Sequence, residues 1–117
     1  MERPSIKTAI PKRRYKLGEF VVTVLGEIET DDPRQYQYIA AVVVEGDKEP
    51  GIFLTAERNR GAEARDGSHA LRLIMRDGAQ AIGSSDRFGE EEQFAKAALD
   101  IVVKVLGLDD EEPYRLM

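Results

Sequence analysis

The sequence predicts an α+β fold in which an antiparallel β-meander of about five strands packs against one C-terminal helix. Apolar residues recur with a period of two through much of residues 18–84, as in strands that bury one face. Clusters of glycine, proline and aspartate separate these segments, which is typical of tight turns between antiparallel neighbours. A helical period is found only in residues 90–106, so we expect one helix near the end of the chain.

Length and composition limit the classes of protein to which this chain can belong. The chain has 117 residues and a formal net charge of −5, which suits one compact domain. Its longest apolar run, residues 39–44, is far shorter than the ~20 residues of a membrane-spanning helix. The chain has no cysteine and one histidine, His69, so disulfides, thiolate zinc sites and imidazole-rich metal clusters are excluded. We expect no metal and no cofactor.

Charge divides the chain into three predicted parts. Residues 1–14 form a basic flexible arm, residues 15–108 one α+β domain, and residues 109–117 an acidic tail. The arm could bind phosphate backbones or anionic surfaces, or it could dock on its own body or on a sister subunit. Residues 1–16 lack the apolar core of a secretory signal, so a cytoplasmic location is expected.

The first predicted strand begins near residue 18 and alternates apolar and polar side chains. The apolar face carries Phe20, Val22, Val24 and Ile28, and Gly26 predicts a bulge or bend in the same segment. Because the arm before it contains Pro4 and Pro11, we expect regular structure to start near residue 15.

Four further strands complete the predicted meander. Residues 35–45 are apolar on both faces, which predicts a strand inside the sheet. The later strands are predicted at residues 52–57, 69–76 and 79–84. A glycine-rich turn precedes the first of these, a polar loop of residues 58–68 precedes the second, and the hairpin dipeptide Asp77-Gly78 precedes the third.

The predicted helix, residues 90–106, is apolar around most of its circumference. Gly107 is positioned as its C-cap, and the face expected to pack on the sheet carries Phe94, Ala98, Ile101 and Val105. A second apolar stripe remains beyond this face. We interpret it as a homodimer interface made of Leu99, Val102, Val103 and Leu106, because two-fold dimers are the commonest soluble oligomers.

The face of the sheet away from the helix is also partly apolar. It is expected to carry Val21, Leu25 and Ile74. A sheet curled on itself, a homodimer or a ligand groove would each cover this face.

Motifs for catalysis are scarce, and no catalytic residue is predicted. Gly78 and Gly83 have the spacing of a phosphate-binding loop, but the lysine that should follow is absent. Ser85 lies in no nucleophile elbow, and His69 has no orienting carboxylate in the pattern. A carboxylate-based enzyme would need two buried neighbours among the acidic residues placed on strands, which are Glu19, Glu27, Glu45 and Glu57.

Basic and aromatic side chains form the candidate binding surface. They are Arg13, Arg14, Lys16, Tyr36, Tyr38, Arg58, Arg60, Arg72 and Arg76. Arginine with tyrosine can contact phosphates and stack on bases, as in proteins that bind single strands. A sheet face laced with cross-strand ion pairs is the structural alternative.

The element order, a meander closed by one C-terminal helix, is similar to that of Whirly-type single-strand-binding domains, which assemble through their helices. No residue motif carries this resemblance, so no residue role follows from it. A secretion-chaperone-like module fits the dimer argument equally well, although such chaperones usually begin with a helix. The sequence thus favours a non-enzymatic protein- or peptide-binding homodimer, then a single-stranded nucleic-acid binder, and third a small-molecule enzyme.

Overall fold

The computed structural model describes residues 4–31, 33–61 and 65–117 of the chain. Within these residues, one α-helix and a seven-stranded antiparallel sheet confirm the α+β class and correct the expected count of about five strands. The elements are β1 (Thr8–Leu17), β2 (Phe20–Glu29), β3 (Tyr36–Val44), β4 (Ile52–Arg58), β5 (His69–Met75), β6 (Gly78–Ser85), α1 (Glu91–Leu106) and β7 (Tyr114–Arg115). In this part of the chain no helix combines the length and the apolar character needed to span a membrane.

Strands β1 to β6 form a meander in which each strand pairs with the next along the chain. The order of the whole sheet is β6-β5-β4-β3-β2-β1-β7, so β7 alone returns to pair with an earlier strand. β1 and β2 are joined by a two-residue turn that needs a left-handed residue, and Gly18 supplies it with φ 60°. β3 lies between β2 and β4, as its two apolar faces predicted.

The additional strands occupy segments that the sequence had assigned to the flexible arm and the acidic tail. Regular structure begins at Thr8, well before residue 15, and β7 pairs with β1 through Tyr114 and Arg115. β1 was not predicted because its many basic residues suggested a solvated arm. In the structure these side chains form ion pairs with other elements. The pairs are Lys12 with Glu27, Arg13 with Glu91, and Lys16 with Glu45. Residues 1–3 of the predicted arm lie outside the described residues, as do residues 62–64 of the predicted loop.

The helix packs across one face of the sheet and makes the main core. Phe94 is fully buried and stacks on Tyr38, with the two ring centroids 5.5 Å apart. Gly107 ends the helix in the left-handed conformation, with φ 64°, and the next residue, Leu108, donates its N–H to Val103 at 2.9 Å. This is the C-cap that the sequence predicted.

The helix is rotated relative to the packing face that the sequence predicted. Leu99 and Val102, assigned to a dimer interface, are buried in the chain's own core, whereas Val105, assigned to the core, is 38 % exposed. Val103 and Leu106 are partly buried against the same core. The error arose because two adjacent stripes of this helix are both apolar, and periodicity alone does not say which one meets the sheet.

The opposite face of the sheet also has a buried cluster. Tyr36, Ile39, Phe53 and Ile74 are buried there, and Ile6, which precedes β1, packs against them. Among the described residues α1 packs on the other face, and the segment before β1 supplies part of the cover seen here. The three alternatives left open by the sequence, a sheet curled on itself, a homodimer or a ligand groove, stay predictions.

Candidate functional site

An open cleft of about 960 Å³ lies where the β2–β3 connection meets the end of β4. Its walls include Arg34 from the connection, and Arg58 and Arg60 from the end of β4 and the loop beyond it. A neighbouring cavity of about 760 Å³ shares these three arginines. We call the two together the arginine cleft.

Glu57 forms the floor of the arginine cleft, and its carboxylate is held from three directions. Oε2 accepts hydrogen bonds from Arg72 Nε at 2.8 Å and from the Thr55 hydroxyl at 2.6 Å, and Oε1 lies 3.4 Å from Arg34 Nε. The Glu57 side chain is 13 % exposed and that of Arg72 16 %. Thr55 and Glu57 share a sheet face because they are two residues apart in β4. This half-buried carboxylate therefore fixes Arg72 and pairs with Arg34, whose side chain is more exposed.

Arg58 and Arg60 present exposed side chains at the rim of the arginine cleft. The Arg58 guanidinium donates to the Gln37 side-chain oxygen, at 3.1 Å from Nη2. Gln37 orients this group without neutralising it. Among the residues that the structure describes, neither arginine forms an ion pair with a carboxylate, so both charges remain available to an anion.

His69 lies beside the cleft and serves to fix a turn. Its Nδ1 is 2.7 Å from the Ser68 hydroxyl, while Nε2 is shielded from solvent and has no hydrogen-bond partner within the described chain. A Cβ at position 89 would lie 2.6 Å from the imidazole Cε1, so the ring packs directly beneath Gly89 of the 3₁₀ turn Asp86–Gly89. Among the described residues no carboxylate forms an ion pair with the ring, and this geometry is that of a packed histidine.

The surroundings of His69 predict a pH dependence of stability. Burial lowers the pKa of His69, the nearby Arg58 charge lowers it further, and Asp86 opposes both effects in part. As the pH falls through about 6.5, the unfolded chain takes up this proton more readily than the folded chain, so the folded state loses stability. Urea unfolding between pH 8 and pH 5 should show this loss, and His69→Gln should lack that component. An unchanged pH profile in the variant would contradict the assignment.

The outer edge of β6 is the second candidate surface. Residues 78–83 are exposed, and all of β6 is free of charge and proline. Its last residues are covered, because Asn59 Nδ2 donates to Ser84 Oγ at 3.1 Å and Gly67 approaches the Ser85 backbone closely. No described strand pairs with the outer side of residues 78–83. We call this segment the β6 edge.

Two features of the β6 edge add apolar surface. Ile82 is the extra residue of a bulge, because Leu71 pairs with Gly83 and Arg72 with Ala81, and its side chain is 42 % exposed. A groove of about 250 Å³ lies next to the first residues of the strand, and Leu73 and Met75 form its apolar part.

No family model, curated protein or solved structure matches this chain.

The structure separates most of the predicted binding residues. Tyr36 is buried on the face opposite the helix, and Tyr38 is half-buried with its ring stacked on Phe94, so neither ring is fully open for stacking on a base. Arg72 is held by Glu57. Arg13 donates to Tyr15 and to Glu91, and these bonds raise the pKa of its guanidinium.

The remaining basic residues lie at separate places on the surface. Arg14 hydrogen-bonds Thr23, Lys16 pairs with Glu45, and Arg76 is exposed beyond the end of β5. Only Arg58 and Arg60 come together, and they do so with Arg34, which the sequence argument missed. Arg34 is 24 residues before Arg58 in the sequence, and no local sequence signal joins the two.

The four strand carboxylates do not form a buried pair in the described chain. Glu19, Glu27 and Glu45 are exposed, and Glu57 is half-buried with basic partners. The described residues likewise contain no cluster of three or more histidine, aspartate or glutamate residues able to hold a metal ion.

Proposed function

We propose that this protein is a non-enzymatic binding module that takes up an extended peptide segment of a partner protein along the β6 edge. The observation that carries the proposal is the exposed, uncharged strand segment 78–83 at one end of the sheet. An added strand would satisfy the outward backbone groups of β6, the mode of recognition known as β-augmentation.

The two edges of the sheet differ in a way that favours this use of β6. β1 carries Pro11, several basic residues and two register shifts, and β7 covers part of its outer side. These are the devices that keep an edge strand from pairing with other chains. β6 has one bulge but neither charge nor proline, so its first four residues keep a regular ladder and an open outer side.

A peptide suits the β6 edge better than a second copy of the chain. Apart from Gln80 and Ile82, the exposed residues of this edge are glycine or alanine, so pairing two copies would bury little side-chain area. A stable dimer usually buries about 1,200–2,000 Å². A peptide strand can in addition place one apolar side chain in the groove beside Met75. We therefore expect a partner segment with apolar residues at alternate positions.

The test is selection from a phage-displayed library of random eight-residue peptides against the full chain. The selected peptide should slow amide hydrogen exchange in residues 78–83, because these N–H groups gain partners. Ile82→Lys should weaken its affinity at least tenfold, since a lysine on an edge strand opposes pairing. The matched control is Ile10→Lys, which alters an isoleucine of similar exposure, 48 %, on the other edge and should leave the affinity unchanged.

Three outcomes would count against the peptide proposal. Selection could yield no specific peptide, or the peptide could bind both lysine variants equally. Alternatively, the amides of residues 78–83 could already be protected in a protein that sediments as a dimer, which would assign the edge to a second copy. The homodimer expected from the sequence stays a prediction, now without Leu99 and Val102 as its interface.

The single-strand-binding alternative has less support from the geometry. Stacking needs exposed aromatic faces, and both tyrosines chosen for that role are buried or packed beneath the helix. The arginines that do converge line a concave cleft, which suits a compact ligand better than a continuous strand.

A further inference from the structure

Independently of the β6 edge, we propose that the arginine cleft binds the phosphate group of a small phosphorylated molecule. Arg34, Arg58 and Arg60 converge on one cleft of a chain whose net charge is −5. Guanidinium groups recognise phosphate through paired N–H donors and keep their charge at every physiological pH.

Two of the acidic residues near the arginines form ion pairs with basic side chains. Glu57 is paired with Arg72 below the floor as well as with Arg34, and Asp31 pairs with Lys7 at 3.0 Å. Asp66 and Glu29 are the remaining acidic residues of the described lining of the two cavities. Arg58 and Arg60 both lack a carboxylate ion-pair partner in the described chain, so their two charges at the rim stay available to an anion although the molecule is acidic.

The arrangement is preorganised in two places. Gln37 holds Arg58 through its side-chain oxygen, and Glu57 holds Arg34. A ligand that meets side chains already fixed in position loses less of its binding energy to ordering them. Arg60 would then complete the site from the loop after β4.

Phosphate fits this cleft better than carboxylate does. Three guanidinium groups offer more donors than the two oxygens of a carboxylate accept, whereas a phosphate monoester offers three oxygens and nearly two negative charges. The larger of the two cavities that form the arginine cleft, of about 960 Å³, has room for the rest of a nucleotide-sized molecule. A long nucleic acid would also have to approach the acidic remainder of the surface, which opposes it.

The experiment titrates the full chain with inorganic phosphate, adenosine monophosphate, acetate and a single-stranded oligonucleotide, each at low and high salt. Amide chemical shifts of residues 57–60 report occupancy of the cleft. We expect saturable binding of adenosine monophosphate and of inorganic phosphate, and at least tenfold weaker binding of acetate. The double variant Arg58→Gln with Arg60→Gln should weaken phosphate binding at least tenfold. Arg76→Gln, an exposed arginine outside the cleft, should leave it unchanged.

Each other result overturns the proposal. Equal binding of acetate would indicate a general anion site, and equal loss in Arg76→Gln would indicate non-specific charge attraction. Oligonucleotide binding that falls steeply with salt, with no binding of the small phosphates, would assign the cleft to nucleic acid. Failure of the peptide selection would leave this test unaffected, because the two surfaces are altered by different variants.

Discussion

A Val102→Asp variant is expected to be largely unfolded at 25 °C. Val102 is 1 % exposed and lies in the main core with Phe94, Ala98 and Leu99. An aspartate there would bury a charge without a partner in addition to losing the packed side chain, and such changes cost more than about 4 kcal/mol. That is comparable with the whole stability of many small domains. Circular dichroism and urea unfolding measure the loss.

The matched control is Val105→Asp, which makes the same replacement one turn further along the same helix. Val105 is 38 % exposed, so we expect the variant to fold with a loss below about 1 kcal/mol, which arises from placing an acid near the helix C-terminus. Sedimentation of both variants separates core from interface. If Val102→Asp stays folded and merely changes the oligomeric mass, the residue belongs to an interface and our placement of the helix is wrong.

The strands predicted best were those whose signal is local. Asp77-Gly78 marked the β5–β6 hairpin, and the alternation of Leu71 with Arg72 marked β5 itself. Gly107 marked the helix end because a left-handed C-cap has a strong preference for glycine. In each case a few neighbouring residues contain all the information needed.

Neither the strand β1 nor the face of the helix that packs on the sheet could be predicted, because each depends on residues that are distant in the sequence. Lys12 and Arg13 look like part of a basic arm in the sequence, but in the structure their acidic partners lie opposite them on β2 and on the helix. The helix has two apolar stripes, and the choice between them depends on the shape of the sheet surface beneath.

The two candidate sites could not be located from the sequence, because each depends on how the strands are arranged in the fold. The absence of charge in β6 is visible in the sequence, yet it matters only because β6 is the last strand of the meander and has a free side. Arg58 and Arg60 of the arginine cleft were among the predicted binding residues. The sequence grouped Tyr36, Tyr38 and Arg72 with them, although the structure buries Tyr36, stacks Tyr38 on Phe94 and pairs Arg72 with Glu57. Composition identified the charges, and only the fold shows which of them converge.

Replacing Glu57 by alanine is expected to destabilise the protein by roughly 3 kcal/mol and to disorder the arginine cleft. The change removes the acceptor of the buried Thr55 hydroxyl and the partner of Arg72, whose side chain is 16 % exposed. Leaving such a charge unpaired costs about 3–5 kcal/mol when burial is complete, and the partial exposure here reduces that figure. Urea unfolding measures the loss. Glu45→Ala, which removes an exposed partner of Lys16, should cost less than about 1 kcal/mol.

A double-mutant cycle with Arg72→Ala identifies the cause of the effect of Glu57→Ala. If the cost arises from an unpaired charge, Arg72→Ala alone should also destabilise the protein, and the double variant should lose clearly less than the sum of the two. Additive losses would show that the pair does not interact and would contradict the role given to Glu57. Because Glu57 also pairs with Arg34, the folded Glu57→Ala variant should bind inorganic phosphate more weakly than the original chain. The unfolding cycle and the phosphate titration therefore test whether the carboxylate that stabilises the sheet also orients the cleft.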